Sequence, residues 1–207
     1  MKESEVINTG RRNFITKIVP ACSLLCAGGL SALPGFRPKD LATYFQEKHK
    51  FDKEFPKKLT YREYLTASTI PLVGFVRNLE GEVGKAKAME LLKAISDKSL
   101  LKRGQWQVQK APDNSLQSYV AQFKQEDNKN WATFDIIEDN DKVFEMKITE
   151  CLYATVYKDL KATDIGLIAV CQADYPWVEG FNPSIKLIRD KTLMEGHDCC
   201  NHRYVWE

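Results

Sequence analysis

Apolar side chains recur at intervals of three and four residues along the first two thirds of the chain, which is the spacing of one helix face. The strongest example is 80–101, where Val83, Ala86 and Met89 keep this spacing among strong helix formers. Pro71 is expected to end the preceding helix, because proline lacks the N–H that helix hydrogen bonds need. The pattern predicts helices over 38–51, 60–70 and 80–101, a buried segment over 72–79, and a shorter helix around 116–123.

The spacing changes to alternation of apolar and polar residues beyond residue 131. Alternating runs over 131–138 and 143–149 lie on either side of a turn rich in Asp and Asn. Alternation is the period of a strand with one buried face, and two such runs around a short turn predict a β-hairpin. Further elements are predicted as helices over 152–161 and 165–173 and as strands over 184–190 and 201–206. N-terminal helices followed by a small antiparallel sheet with helices packed on it define an α+β fold.

The N-terminal 35 residues have a character of their own. The pair Arg11-Arg12, followed by Phe14, precedes an uncharged run over 18–33 that is rich in Ala, Gly and Leu. This arrangement resembles a twin-arginine export signal, and the run is short for a membrane span of roughly 20 apolar residues. We predict a signal peptide over 1–35 and an α+β domain over 36–207, exported to the periplasm or cell envelope. The twin-arginine translocation machinery is then an expected partner.

The charge balance gives no reason to expect a nucleic-acid partner. The formal net charge is +2, and no stretch interleaves basic residues with aromatic ones. The apolar fraction of 43% is ordinary for a folded domain. Contact with the membrane is expected only through the signal or through a lipid anchor on Cys22, which ends a degenerate lipoprotein box.

The C-terminal segment 171–202 concentrates residue types that carry covalent, acid–base or metal chemistry. It holds three of the six cysteines and two of the three histidines. In a strand, Cys200 and His202 share a face, which places a thiol beside an imidazole. Asp174 lies in the same segment, and Cys151 is expected to join it from the junction between hairpin and helix.

The C-terminal part of the chain resembles the L-2-amino-thiazoline-4-carboxylic acid hydrolase family. The resemblance is carried by the run 191–204, KTLMEGHDCCNHRY, together with Glu150-Cys151, Asp164-Ile165-Gly166, Cys171-x-x-Asp174 and Gly180-Phe181-Asn182-Pro183. It covers residues 60–207 and is densest beyond residue 143, and His197 stands where an acidic residue is expected. The resemblance implies hydrolytic opening of a small cyclic amidine, a thiazoline ring, to N-carbamoyl-L-cysteine.

Ring opening needs a nucleophile at the carbon between nitrogen and sulfur, and a proton for the leaving group. A Cys200 thiolate beside His202 would supply a covalent route. Asp174 would orient the imidazole or activate water, and Cys171 and Cys151 are further catalytic candidates. The candidates for binding the substrate carboxylate are Arg203, Arg189 and Lys191.

Other interpretations of the same residues remain open. Three thiols and an imidazole suit a tetrahedral zinc ion or another transition metal. That ligand set would be Cys151, Cys171, Cys200 and His202. The cysteines would also suit disulfides, such as Cys151 to Cys200 or Cys171 to Cys199, or burial as small apolar side chains. The alternative to a hydrolase is an exported module without catalytic activity that binds a small ligand, a metal or a redox partner.

Overall fold

The computed structural model describes residues 58–207, apart from the side chains of residues 127 and 128. The predicted signal over 1–35 and the predicted helix over 38–51 lie outside the described residues. None of the helices formed by the described residues has the length and apolar character needed to cross a bilayer.

Two long helices open the described part of the chain. Helix α1 spans Tyr61–Val83, and helix α2 spans Lys85–Val108. The prediction that Pro71 ends a helix is wrong, because Pro71 lies inside α1, where packing against α2 offsets the lost backbone hydrogen bond. The break comes instead at Gly84, whose φ of +82° favours glycine. The predicted helix over 80–101 is therefore right in its centre and wrong at both ends.

A four-stranded antiparallel sheet follows, with the strand order β1-β2-β4-β3. Its strands are β1 (Ala132–Asp139), β2 (Val143–Cys151), β3 (Ile185–Ile188) and β4 (Cys200–Trp206). The predicted hairpin and the two predicted later strands are confirmed. In the hairpin turn, Asn140 Oδ1 accepts hydrogen bonds from the backbone N–H groups of Lys142 and Val143, both at 2.9 Å. This side chain closes the turn in the way that Asn commonly does.

Short helices connect and cover the sheet. They are α3 (Leu116–Val120), α4 (Leu152–Asp159), α5 (Thr163–Gly166) and α6 (Asp174–Phe181), with a π-helical turn at Leu167–Cys171 and 3₁₀ turns at Glu126–Asn130 and Leu193–Glu195. The sequence pattern did not predict α6. Pro176 is compatible with its first turn, because N–H groups there have no partner within the helix. The α+β class is confirmed.

One face of the sheet forms the floor of the core. In the register between β2 and β4, Met146 lies opposite His202 and Ile148 lies opposite Cys200. These four side chains and Tyr204 are buried. The alternation predicted from the sequence therefore places Cys200 and His202 on the same buried face.

Helices α2 and α6 cross over this floor with their backbones in contact. A Cβ atom on Gly104 would lie 2.2 Å from Trp177 O, and a Cβ atom on Gly180 would lie 2.1 Å from Leu101 O. Only hydrogen fits in such spaces, so the two glycines permit the close approach. The crossing places the C-terminal half of α2 beside the helix that begins with Asp174.

Candidate active site

Arg189 is the centre of a polar cluster beside the buried sheet face. Its Nη1 donates to Asp174 Oδ2 at 2.8 Å and lies 3.0 Å from His202 Nε2. Its Nη2 donates to the backbone oxygen of Cys171 at 2.7 Å. Only 4% of the Arg189 side chain is exposed, compared with 24% of the Asp174 side chain. Arg189 is therefore a fixed internal group, whereas Asp174 reaches solvent.

Four different elements bring these groups together. Asp174 begins α6, Arg189 directly follows β3, and His202 lies in the middle of β4. The π-helical turn before α6 ends at Cys171, where Gln172 N donates to Leu167 O at 2.7 Å. Such wide turns are frequent at functional sites. Here the turn places a backbone oxygen against Arg189.

The contact with Arg189 defines the tautomer of His202. A guanidinium group only donates hydrogen bonds, so His202 Nε2 accepts and Nδ1 carries the proton. Burial, followed by the Arg189 charge, lowers the pKa of His202 to about 3. The imidazole is neutral at physiological pH, and among the described residues its Nδ1 has no hydrogen-bond partner.

The pKa of Asp174 is shifted in the opposite direction from the pKa of His202. Burial raises its pKa to about 6, and the adjacent Arg189 charge limits the rise. The carboxylate is therefore mostly ionised at neutral pH and titrates close to it. Hydrogen bonding from Arg189 engages Oδ2, and no described residue donates to Oδ1. One oxygen of a partly exposed carboxylate is thus open to a ligand or to water.

The three cysteines of the predicted site also lie near this cluster, but as protonated thiols. Burial raises the pKa of Cys151 to about 11 and raises the pKa values of Cys171 and Cys200. Cys200 Sγ accepts a hydrogen bond from Leu193 N at 3.1 Å, and His202 contacts Arg189 instead of Cys200. The predicted thiolate–imidazolium pair is therefore not present in this geometry.

Disulfides and a zinc site find no support in the described residues. Cys151, Cys171, Cys199 and Cys200 are all free thiols. Between residues 58 and 207, no group of three or more His, Cys, Asp or Glu side chains is placed to hold a metal ion. The central position in the cluster is taken by Arg189, whose positive charge disfavours a cation there.

Two of the predicted carboxylate-binding residues lie away from the cluster. Arg203 is on the opposite face of β4, where its Nη1 pairs with Glu138 at 2.8 Å and also with Glu145. Lys191 is half exposed and lies 3.4 Å from Asp198. Arg203 lies away from the cluster because strand neighbours alternate between faces, and Lys191 lies beyond the end of β3. Their role as carboxylate-binding residues stays a prediction. Arg189 is at the site, but its donors are already engaged.

An open surface cleft of about 430 Å³ lies at the end of the hairpin. Its lining includes Trp131, Glu150, Cys151, Thr155 and Leu193. Leu193 links the cleft to the interior, because its backbone N–H is the donor to Cys200 Sγ. The cleft therefore ends on the cysteine side of the cluster.

Sequence reasoning missed an aromatic and cationic extension of the cluster. The Tyr204 ring lies 6.2 Å from the His202 ring and 5.3 Å from the Tyr119 ring, and both tyrosines are fully buried. Arg103 reaches the same region from α2, with its Cζ 4.2 Å from the centre of the Trp177 ring. Arg103 continues the buried stripe of α2 that includes Ser96, Ser99 and Leu100. The sequence signal that could have revealed Arg103 was a cationic residue at a position on the inward-facing side of the helix.

The fold is α+β, and the cluster contains a carboxylate whose pKa burial raises to about 6. The chain belongs to the L-2-amino-thiazoline-4-carboxylic acid hydrolase family, whose model matches residues 62–204. The match includes Asp174, Arg189 and His202 and confirms the resemblance seen in the sequence. No individually curated protein matches the chain.

Proposed function

We propose that this protein hydrolyses a small cyclic amidine of the thiazoline type, with the Asp174 carboxylate as the general base for water. The observation that carries the proposal is the state of Asp174, a partly exposed carboxylate with a pKa of about 6. Such a group is ionised at neutral pH and is still basic enough to accept a proton in the transition state. Membership of the hydrolase family supplies the class of substrate.

The proposed reaction adds one water molecule and uses no oxidant or reductant. The water oxygen bonds to the ring carbon between nitrogen and sulfur, while Asp174 takes the proton from that water. The carbon–nitrogen double bond of the ring becomes a single bond, and the second proton of the water ends on that nitrogen. The carbon–sulfur bond then breaks as the carbonyl forms, and Asp174 returns its proton to the departing sulfur. The ring opens to a free thiol and a carbamoyl group, and the carboxylate is regenerated.

Arg189 positions the base and keeps it ionised. Its contact with Asp174 Oδ2 leaves Oδ1 as the oxygen that meets water. Its charge opposes the effect of burial on the Asp174 pKa, so the carboxylate remains useful near neutral pH. His202 accepts a hydrogen bond from Arg189 and stays neutral, so it orients the guanidinium without adding a second positive charge.

The state of the thiols favours water over a cysteine as the nucleophile. A thiolate is the reactive form of cysteine, and burial raises the pKa of Cys200, Cys171 and Cys151. No imidazolium is available to stabilise a thiolate, because His202 is neutral. A direct attack by water needs neither a thiolate nor an imidazolium.

The test is conversion of L-2-amino-thiazoline-4-carboxylate by purified protein, followed by chromatography and mass spectrometry. Asp174→Asn preserves the size of the side chain but removes the base, so turnover is expected to fall by roughly 10² to 10⁴. The matched control is Asp159→Asn, because Asp159 forms an exposed salt bridge with Arg62 on α1. Wild-type protein that leaves the ring closed, or an Asp174→Asn protein as active as the control, would contradict the proposal.

A further inference from the structure

Arg103 is a partly exposed cation whose guanidinium group stacks on an aromatic ring. Its Cζ lies 4.2 Å from the centre of the Trp177 ring, within the range of a cation–π contact. The indole is fixed in turn, because Trp177 Nε1 donates to Gln107 Oε1 at 2.7 Å. Gln107 is one helical turn beyond Arg103 on α2. The guanidinium therefore rests on a side chain that is itself anchored to the same helix.

Arg103 lacks the partner that a guanidinium in this position normally has. Among residues 58–207, no carboxylate forms a salt bridge with it and no acceptor takes a hydrogen bond from it. Burial lowers the pKa of Arg103 to about 10, and its charge is retained at neutral pH. The side chain is partly exposed, so its guanidinium group reaches solvent. The five N–H donors of this side chain are thus available for an anion.

The aromatic side chains place Arg103 in the same region as Asp174. Trp177 follows Asp174 by three residues on α6, and its ring lies 6.4 Å from the Tyr119 ring. Tyr119 is close to both charges: burial and then Asp174 raise the pKa of its phenol, whereas Arg103 lowers it. Arg103 stacks on Trp177 and Asp174 begins the helix that carries Trp177, and among residues 58–207 no salt bridge joins the two charges.

We propose that Arg103 binds the carboxylate of the substrate while Asp174 acts on its ring, an inference that rests on the proposed function. A planar guanidinium group binds a carboxylate through two parallel hydrogen bonds. The ligand class defined by this pair of charges is a small molecule with a carboxylate at one end and a polar, amidine-like group at the other. Arg103, and not Arg203 or Lys191, then selects acids over uncharged analogues.

The experiment compares two substrates that differ only in the carboxylate, L-2-amino-thiazoline-4-carboxylate and 2-aminothiazoline. For the acid, Arg103→Gln is expected to raise KM by about 10- to 100-fold with little change in kcat, because the lost contact is made in both ground and transition states. For 2-aminothiazoline, the variant and wild type are expected to have the same kcat/KM. For the acid, the KM of Arg103→Lys is expected to lie between the KM values of wild type and Arg103→Gln, since lysine retains the charge without the bidentate geometry.

The matched control is Arg62→Gln, because Arg62 is exposed and pairs with Asp159 away from the cluster. Its kinetics are expected to equal those of wild type with both substrates. A purely structural role for Arg103 would lower the melting temperature of Arg103→Gln and weaken both substrates equally. Our proposal predicts a loss confined to the acid, whatever effect the lost cation–π contact with Trp177 has on the melting temperature. If Arg103→Gln has the same KM for the acid as wild type, the proposal that Arg103 binds the carboxylate is overturned.

A binding measurement separates this inference from the proposed reaction. If wild-type protein opens neither ring, the proposed function fails, and isothermal titration calorimetry with the acid then decides the role of Arg103. Binding to wild type that weakens about 10- to 100-fold in Arg103→Gln would support the carboxylate contact without catalysis. Equal binding by both proteins, or no binding by wild type, would overturn it.

Discussion

Asp174 and Arg189 form a salt bridge in which Nη1 and Oδ2 are 2.8 Å apart, while only 4% of the Arg189 side chain is exposed. The bridge joins the start of α6 to the end of β3, and the carboxylate remains partly exposed. A guanidinium in this place does more than stabilise the fold. Its charge also limits the rise in the Asp174 pKa that burial causes.

Removal of this guanidinium is expected to destabilise the protein more at alkaline than at acidic pH. Arg189→Gln leaves Asp174 ionised without its partner, which we expect to cost about 3 kcal/mol of unfolding free energy at about pH 8. Without Arg189 the folded-state pKa of Asp174 rises further above its ordinary value. A raised carboxyl pKa means that stability is lost as pH rises, so at about pH 5, where Asp174 is protonated, the cost is expected to be smaller.

Urea unfolding of wild type and Arg189→Gln at both pH values measures this difference. Arg62→Gln is the control, since its salt bridge with Asp159 is exposed and is expected to contribute little at either pH. An equal cost of Arg189→Gln at both pH values would show that its charge does not act through Asp174.

Replacement of the cysteines is expected to leave most of the activity. Because both thiols have raised pKa values and are protonated, Cys200→Ala and Cys171→Ala are each expected to retain kcat/KM within about tenfold of wild type, with the loss due to packing alone. A nucleophilic cysteine would lose activity by orders of magnitude. Intact-protein mass spectrometry during turnover provides the second measurement, and a covalent adduct on any cysteine would refute direct attack by water.

The crossing of α2 and α6 is expected to tolerate no side chain at its glycines. Gly180→Ala places a Cβ 2.1 Å from Leu101 O, so the helices must separate, at a cost of about 3 kcal/mol or more in unfolding free energy. Gly81→Ala is the matched control, because no atom lies within 4 Å of its Cβ position in α1. Alanine there is expected to stabilise the helix by up to about 1 kcal/mol. Thermal unfolding of the two variants compares them directly, and similar melting temperatures would contradict the close packing.

His202 is expected to make the protein sensitive to acid. Its folded-state pKa of about 3 lies below the ordinary value of 6.5, so the unfolded chain binds a proton first as pH falls. Between about pH 7.5 and pH 5, the unfolding free energy of wild type is expected to fall by about 2 kcal/mol relative to His202→Gln. Glutamine keeps an acceptor for Arg189 and does not titrate. Parallel pH dependence in the two proteins would mean that the imidazole has the same pKa in the folded and the unfolded chain, which would contradict the lowered pKa of His202.

The local part of this structure was predictable from the sequence. Alternation over 131–149 predicted the hairpin, and the same period placed Cys200 and His202 on one strand face. The same reasoning should have removed Arg203, which as the next residue along β4 points to the opposite face. Arg203 is adjacent to His202 in sequence, but consecutive residues of a strand do not share a face.

The remainder depended on tertiary structure. Pro71 did not end its helix, because packing along α1 outweighed one lost hydrogen bond. The contact of Arg189 with Asp174 follows from the order of the strands and from α6, which no periodicity indicated. The shift of each pKa then follows from burial, which depends on the assembled core. Residue types identified members of the cluster, but only the fold shows that Arg189 contacts both Asp174 and His202.

The pH dependence of kcat/KM, corrected for ionisation of the substrate, tests the central claim most directly. Our account predicts that kcat/KM rises with unit slope as Asp174 ionises around pH 6 and is constant above it. In Arg189→Gln the same rise is expected at higher pH, because the charge that opposes burial is gone. A rise only near the ordinary thiol pKa of about 8.5, abolished by Cys200→Ala, would contradict the account and assign the chemistry to the cysteine.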